Sequence, residues 1–297
     1  MRSDLQAENL AEAILMTFAF FDTFNYPLTL FEVWRLCSLR ADFGDIERAV
    51  VEEFLFSRLE QKNGFYFLRG RENLVEERRA FSIISEQKMR RAKRAVRLWH
   101  FIPGLKGVAL CNNFYYRATS DIDLFIITAK GSLWLTRFFS VSIAHLAGFR
   151  IYKNKVANQL CLSFFVSDDS LDLASLMLPD SDPYFIYWFA FLDPIFDDGV
   201  FRNLWQENQK ILQKLPNYSC PSAAPFRVIK EKQHRIWPIF FERLVRPWQE
   251  RRLKNKKIKP ENEASGVVIS DRVIKVHEND RRREFKNRYE ENIKKYL

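Results

Sequence analysis

A chain of 297 residues with 47% hydrophobic and 28% charged residues is long enough for two domains and has the composition of an ordinary globular protein. The scattered cysteines and histidines exclude a zinc site or a disulfide framework, and the longest apolar runs, 138–149 and 184–192, are shorter than the ~20 residues that cross a bilayer. We therefore expect a cytoplasmic protein without a membrane partner, whose net charge of +10 suits a polyanion.

Residues 1–72 have the pattern of a winged-helix-like domain. Apolar residues at helical spacing predict three helices, and Thr29 with Glu32 forms a capping box at the start of the second. Asn63-Gly64 predicts a two-residue turn between two strands, so that three helices are followed by a β-hairpin. The third helix carries more acids than bases, which disfavours contact with phosphates. A packing or dimerisation module is therefore favoured over a DNA-binding one.

Residues 73–104 predict one long connecting helix. It runs from Asn73 to about His100, and Pro103-Gly104 ends it. From Lys88 onward it is rich in lysine and arginine. We interpret these residues as the surface of a solvated connector, with a phosphate-facing surface as the alternative, and we place a domain boundary after it.

Residues 105–215 predict an α/β domain with a covered sheet, because strands and helices alternate along the chain. The predicted strands are 108–110, 121–127 and 160–166, with a polar loop at 111–120 between the first two. The predicted helices are one from Ser132, which caps it, to about Phe149, and two more at 182–192 and 201–215. The later helices are expected to pack on the sheet.

Residues 216–297 predict a basic, mostly helical C-terminal extension. The segment 216–225 has the composition of a linker, and 226–297 holds 21 Lys and Arg against 11 Asp and Glu, which accounts for the whole net charge. Helices are expected around 237–253 and 280–296, a strand at Val267–Ile269, and a flexible charged stretch between them. This region could bind nucleic acid, or it could be a solvated charged surface.

Two aspartates in an apolar strand are the strongest chemical signal. Asp121 and Asp123 are two residues apart, so their side chains point to the same side of the strand. Two neighbouring carboxylates repel each other unless a cation or hydrogen-bond donors compensate. Mg²⁺ commonly binds one or two carboxylates together with substrate phosphates. The pair therefore indicates a magnesium site, with simple capping of the neighbouring loop as the alternative.

Several stretches around this pair carry a family resemblance. They are Gly107–Leu110, Ser120–Ile127 with its Asp-x-Asp, Phe20–Thr29, Gly64–Arg71 and Val267–Arg283. Together they resemble the nucleotidyltransferases of the DNA polymerase β superfamily, in a bacterial branch of uncharacterised proteins that join a winged-helix-like region to this core. The resemblance spans most of the chain and implies a nucleotidyltransferase-like mixed sheet with flanking helices.

The resemblance also implies a reaction and its residues. It implies a Mg²⁺-dependent transfer of a nucleoside monophosphate from a nucleoside triphosphate to an unknown acceptor. Asp121 and Asp123 match the family's catalytic, metal-binding carboxylates. Asn112 and Asn113 stand where the family has a Gly-Ser pair, and they are the candidates for contacting the nucleotide.

The chain departs from the family pattern in ways that leave a second hypothesis open. Asparagine replaces the Gly-Ser pair, the loop before Asp121 is short, and the third strand has no acid inside it. Asp168 and Asp169 come just beyond the end of that strand, where we expect them to lie too far away to serve as a third carboxylate. The alternative is a catalytically degenerate nucleotidyltransferase fold that acts as a binding or regulatory protein, including a nucleic-acid-binding one.

Overall fold

The computed structural model describes residues 9–99, 101–114, 116–150, 156–220, 239–255, 267–276 and 280–297. Within these ranges the chain is a mixed α/β protein with eleven helices, a six-stranded mixed sheet and a small three-stranded antiparallel sheet. None of the helices in the described part is both long enough and apolar enough to cross a membrane.

The N-terminal region combines short helices with the small sheet. Its helices are α1 (Leu10–Asp22), α2 (Leu30–Leu36), α3 (Phe43–Ala49) and α4 (Glu53–Phe56). Its strands are β1 (Leu28–Thr29), β2 (Leu59–Lys62) and β3 (Phe65–Leu68), in the order β1-β3-β2. The predicted capping box of Thr29 and Glu32 is present, and Asn63 and Gly64 form the predicted turn with φ of 54° and 81°. The predicted third helix is divided into α3 and α4.

Helix α5 (Leu74–Trp99) confirms the predicted long helix, but not as a simple solvated connector. Its residue Lys88 is only 1% exposed. Alanine and valine residues in its second half join the same apolar core as the large sheet. The helix is therefore packed against the sheet, and at least one of its basic residues has an internal role.

The large sheet has the strand order β7-β4-β5-β6-β9-β8. Its strands are β4 (Leu105–Leu110), β5 (Ile122–Thr128), β6 (Leu160–Ser167), β7 (Asp193–Asp197), β8 (Val267–Ile269) and β9 (Val273–Val276). Among the described strands β5 and β6 form the one parallel pair, and the other neighbours are antiparallel. The parallel pair lies in the middle of the sheet, which is where buried, nearly continuous apolar strands are expected.

Helices cover both faces of this sheet. They are α6 (Leu133–Leu146), α7 (Pro183–Ala190), α8 (Val200–Glu207), α9 (Gln209–Leu212), α10 (Ile239–Lys254) and α11 (Arg282–Tyr296). One apolar core joins α1, α7, α8 and α11 to the face that carries Phe125 and Phe164. A second core joins α5, α6 and α10 to the face that carries Ile126 and Leu162. Each face of β5 is thus buried, which explains the apolar run of 124–127 that follows Asp123.

Several predicted elements differ in detail from the structure. The helix predicted up to Phe149 ends at Leu146, and Ser132 holds the N-cap position without a capping hydrogen bond from its side chain. The helix predicted at 201–215 is two shorter helices, because the chain is interrupted at Asn208. Strands β7 and β9 were not predicted. Both are short and follow immediately on turns, so their periodicity is weak.

The predicted C-terminal extension is built into the core. Strand β8 confirms the strand predicted at Val267–Ile269, and β9 pairs with β6, so this region supplies two strands of the main sheet. Helix α10 packs on α6, and α11 packs on α1 and α7. Residues 221–238 and 256–266, which hold half of the predicted linker and most of the predicted flexible stretch, lie outside the described residues.

Candidate functional site

The two predicted carboxylates meet at the start of β5. Asp121 directly precedes this strand and Asp123 is its second residue, while Ile122 between them is fully buried in the opposite core. A carboxylate oxygen of each aspartate and the Sγ atom of Cys161 lie within 4.8 Å of one another. Across the described ranges, this is the one such group of three acidic, cysteine or histidine ligands.

Cys161 reaches the pair from the neighbouring parallel strand. It is the second residue of β6 and stands directly opposite Asp123 in the register. Burial first, and then the two neighbouring carboxylates, raise the pKa of Cys161 well above 9. The thiol is therefore protonated at neutral pH, and it acts as a hydrogen-bond donor rather than as a thiolate ligand. Sequence reasoning missed it, because a lone cysteine in an apolar strand has the pattern of a core residue.

Asp168 and Asp169 lie far from the carboxylate pair. Asp168 and Asp169 follow the other end of β6, about 20 Å along the strand at roughly 3.3 Å per residue. There Asp168 accepts a hydrogen bond from the backbone of Lys130, and Asp169 from the hydroxyl of Ser167. Neither of them joins the pair, because parallel strands place the start of β5 beside the start of β6.

Burial and the close approach of the two carboxylates change their pKa values. Burial, followed by the charge of Asp123, raises the pKa of Asp121 to about 6. Burial also raises the pKa of Asp123, although hydrogen bonds from Asn112 and Cys161 and the charge of Lys88 oppose the rise. The two groups therefore destabilise each other when both are ionised. A cation between them would relieve this repulsion.

Asn112 orders the side of the site next to Asp123. Its side-chain amide donates a hydrogen bond of 2.8 Å to Oδ2 of Asp123, and its oxygen accepts one of 2.6 Å from the hydroxyl of Tyr184 on α7. Asn112 has a φ of 58°, a left-handed conformation that asparagine adopts more readily than most residues. This conformation turns the chain at the end of β4 towards the carboxylates.

Asn113 is a correction to the predicted nucleotide contacts. It lines a different cleft, with Arg78 and Asp193, and its side-chain oxygen is buried without a hydrogen-bond partner among the described residues. The left-handed turn at Asn112 sends the next side chain away from the carboxylates. Of the two predicted asparagines, the structure brings only Asn112 to the site.

Lys88 supports the site from α5. Its ammonium group donates to the carbonyl of Ser120 at 2.6 Å and to Oδ1 of Asn158 at 3.0 Å. Burial lowers the pKa of Lys88, and the charges of Asp121 and Asp123 oppose this. Its hydrogen bonds go to the loops before β5 and β6, so it fixes both loops and offsets part of the negative charge without covering the carboxylates.

The carboxylates open into a cleft of about 300 Å³, close to the lower limit for small-molecule sites. Its walls are aromatic: Tyr184 stacks on Phe285 with ring centroids 5.3 Å apart, and Phe164 stacks on Trp188 at 5.5 Å. Phe285 comes from α11, and no local sequence pattern links this helix to the site.

A buried ion-pair cluster closes the far side of this cleft. Arg282 donates to Asp182 at 2.6 Å and to Asp280 at 2.8 Å, and Lys275 lies 3.4 Å from Asp280. Burial, followed by the charge of Arg282, lowers the pKa of Lys275 to about 8. Part of the basic charge predicted to face solvent or nucleic acid is therefore used inside the protein.

Two carboxylates facing a partly aromatic cleft suit a hard divalent cation that carries phosphate groups. Protein-family models, curated proteins and solved structures were each compared with the chain, and none of them gave a match.

Proposed function

We propose that this protein is a nucleotidyltransferase-like enzyme that uses Mg²⁺ to transfer a nucleoside monophosphate from a nucleoside triphosphate to an acceptor. The observation that carries the proposal is the convergence of Asp121 and Asp123 at the start of a buried central strand. The mutual repulsion of the two carboxylates favours the binding of a cation between them. Simple capping of the neighbouring loop does not relieve this repulsion. The N-terminal helices and hairpin would then form the winged-helix-like part of the same family pattern.

Each residue of the site would have its own role in such a reaction. Asp121 and Asp123 would hold Mg²⁺, which when bound neutralises phosphate charge and aligns the reacting groups. Asn112 keeps Asp123 in place through its amide, and Lys88 fixes the loop that carries Asp121. The stacked pair of Tyr184 and Phe285 offers a flat surface on which a base can lie.

The test is metal-dependent nucleotide binding measured by isothermal titration calorimetry. A non-hydrolysable ATP analogue should bind in Mg²⁺ and lose at least about tenfold in affinity when the metal is chelated. Asp121→Asn and Asp123→Asn keep the side-chain shape and should cause a similar loss. Asp168→Asn is the matched control, because this aspartate lies at the opposite end of β6. A nucleotide affinity that changes neither on chelation of the metal nor in the two variants would refute the proposal.

A second candidate is a degenerate fold that binds a nucleotide without turning it over. Two observations favour it: the third group beside the pair is the protonated thiol of Cys161, and the Asn112 amide already occupies an oxygen of Asp123. The two candidates differ in pyrophosphate release from a bound, hydrolysable triphosphate. Release that requires Asp121 and Asp123 supports the enzyme, whereas tight binding without release supports the degenerate protein. A nucleic-acid partner for the basic region stays a prediction.

A further inference from the structure

A second cavity of about 810 Å³ lies on the other side of the carboxylate pair. It is formed between α6, α10 and the first half of β6, and its wall includes Asp121 and Cys161. The first cleft and this cavity therefore meet at the same two residues. A volume of this size accommodates a small organic molecule.

The wall of the second cavity is strongly basic. Arg137 comes from α6, Arg150 follows that helix, and Arg252 comes from α10. Of the lining residues that the structure describes, Asp121 is the only acid. Three guanidinium groups therefore line this space with a single carboxylate among the described lining residues.

Arg137 shows that the cluster is built into the protein rather than spread over its surface. It is 9% exposed, and its Nη1 atom donates a hydrogen bond of 2.6 Å to Gln249. Gln249 is itself fixed, because its amide donates to the carbonyl of Trp134 at 2.6 Å. The Nε atom of Arg137 is buried and has no hydrogen-bond partner among the described residues. A buried donor of this kind is costly unless something binds to it.

The charges of the cluster act on one another. Burial, followed by the charges of Arg150 and Arg252, lowers the pKa of Arg137 to about 10. Burial and the charge of Arg252 also lower the pKa of Arg150. The arginines are therefore close enough to repel each other, and a bound anion would remove this repulsion and satisfy the buried donor.

We propose that this cavity binds the phosphate group of a small phosphate-bearing acceptor, which Arg137, Arg150 and Arg252 hold while the rest of the molecule extends to Asp121. Arginine matches phosphate in geometry and charge, since its planar fork donates two parallel hydrogen bonds. Phe138, Val141 and Trp248 supply apolar surface for the organic part of the acceptor. This inference rests on the proposed function, because it places the donor nucleotide in the first cleft and the acceptor in the second.

The binding test uses inorganic phosphate and phenyl phosphate as probes, titrated into the full-length protein at constant ionic strength with a metal chelator present. Both should bind, and phenyl phosphate should bind more tightly because its ring adds apolar contact. Arg252→Gln should weaken binding by about tenfold, as a charge-assisted hydrogen bond predicts. Arg252 is exposed, so this substitution leaves the fold intact. Arg251→Gln is the matched control on the same helix and should change nothing.

Arg137→Gln tests the buried donor, with circular dichroism as the check on folding. If that variant is unfolded, Arg150→Gln takes its place, since Arg150 is half-buried and lines the same cavity. Absence of phosphate binding, or binding that Arg252→Gln leaves unchanged, would overturn the proposal. The proposal would also be overturned if a single-stranded oligonucleotide were the one probe whose binding depends on Arg252, because the partner would then be a nucleic acid.

The acceptor assignment has its own readout. Phenyl phosphate and the Mg²⁺-bound ATP analogue should bind together, with neither lowering the affinity for the other by more than about twofold. Competition between them would place the phosphate in the donor cleft and overturn the assignment. Asp123→Asn, at a residue that is not among the described residues lining the second cavity, should weaken nucleotide binding by at least about tenfold and leave metal-free binding of phenyl phosphate in place. If the wild-type protein binds no nucleotide, the proposed function and the acceptor role both fail, whereas the phosphate site is judged by the arginine variants.

Discussion

The side-chain amide of Asn112 donates a 2.8 Å hydrogen bond to Oδ2 of Asp123, and this amide is itself held by the Tyr184 hydroxyl at 2.6 Å. A chain of two hydrogen bonds therefore connects α7 to the buried carboxylate. It fixes the orientation of Asp123 and also lowers its pKa against the effect of burial. Asn112 thus positions one of the two carboxylates to which the proposed function assigns the metal.

We expect Asn112→Gly to destabilise the protein by about 2 kcal/mol. The change removes a hydrogen bond to a charged group and leaves the hydroxyl of Tyr184 without its acceptor. Glycine accepts the φ of 58° at this position without strain, so the loss measures the side chain and not the backbone. Urea unfolding measures the difference.

The control for Asn112→Gly is Asn63→Gly, at a residue with a φ of 54° in the exposed hairpin turn. It should cost less than about 0.5 kcal/mol. Tyr184→Phe combined with Asn112→Gly should cost less than the sum of the two single changes, because the orphaned hydroxyl is removed. Strict additivity would mean that the two side chains do not act as a unit.

Asp121→Asn should stabilise the metal-free protein at pH 7.5, by about 1 kcal/mol after allowance for its partial exposure to solvent. Burial and Asp123 raise the pKa of Asp121 from 3.8 to about 6, so the folded state disfavours the ionised form. The stability of the wild type therefore falls as the pH rises through 6. Below about pH 4 the carboxyl is protonated in both states, and the advantage of asparagine should vanish.

This prediction is checked by thermal unfolding in a chelator at pH 7.5 and at pH 4. A gain of about 2 °C at the higher pH is expected for a protein of this size. Asp168→Asn, which keeps the acceptor for the Lys130 backbone, should leave the melting temperature unchanged. A loss of stability in Asp121→Asn at pH 7.5 would show that the aspartate is structural, as a loop cap would be.

The carboxylate pair could be predicted because it depends on the local alternation of one strand. The difference between Asn112 and Asn113 could not, because it depends on a single left-handed residue that no pattern around it requires. Cys161 depends on the register between two strands separated by a helix and a long loop. Register of that kind follows from the packing of the whole sheet, which a single sequence does not display.

The basic C-terminal region illustrates the same limit for charge. Lys275 and Arg282 lie in a segment that has the composition of a solvated surface, yet each side chain is about 5% exposed. Arg282 pairs with Asp182, which lies 100 residues away in the chain. Composition correctly located the excess of charge, but only the fold determines which charges are paired inside the protein and which face a cavity.

Asp280→Asn should cost about 3 kcal/mol at neutral pH, since it leaves Lys275 and Arg282 buried with one fewer anion. Burial alone would raise the pKa of Asp280, but the hydrogen bonds and charge of Arg282, with Lys275, lower it from 3.8 to about 2. The stabilisation is therefore complete above about pH 4 and is lost as the pH falls towards 2. The difference between wild type and variant should shrink over that interval.

Urea unfolding of Asp280→Asn at pH 7, 4 and 2.5 measures this difference. The matched control is Glu284→Gln, which removes an exposed ion pair with Arg281 on α11. It should cost less than about 1 kcal/mol, because exposed pairs contribute little. Equal effects of the two substitutions would show that the buried cluster does not hold α11 to the core.

Cys161→Asp tests whether the thiol limits the site. An aspartate opposite Asp123 would add a third carboxylate next to the pair. We expect the affinity for Mn²⁺ or Mg²⁺, measured by calorimetry, to rise about tenfold, because each added carboxylate supplies charge and a hard oxygen ligand. The metal-free protein should at the same time lose stability through repulsion among the three acids. Cys161→Ser keeps the size and a hydrogen-bond donor, so its metal affinity should match that of the wild type.

If the wild type binds nucleotide without releasing pyrophosphate and Cys161→Asp releases it, the missing carboxylate explains the inactivity. An aspartate that leaves metal affinity unchanged would show that Cys161 does not face the cation, and that the pair binds it without a third residue from β6.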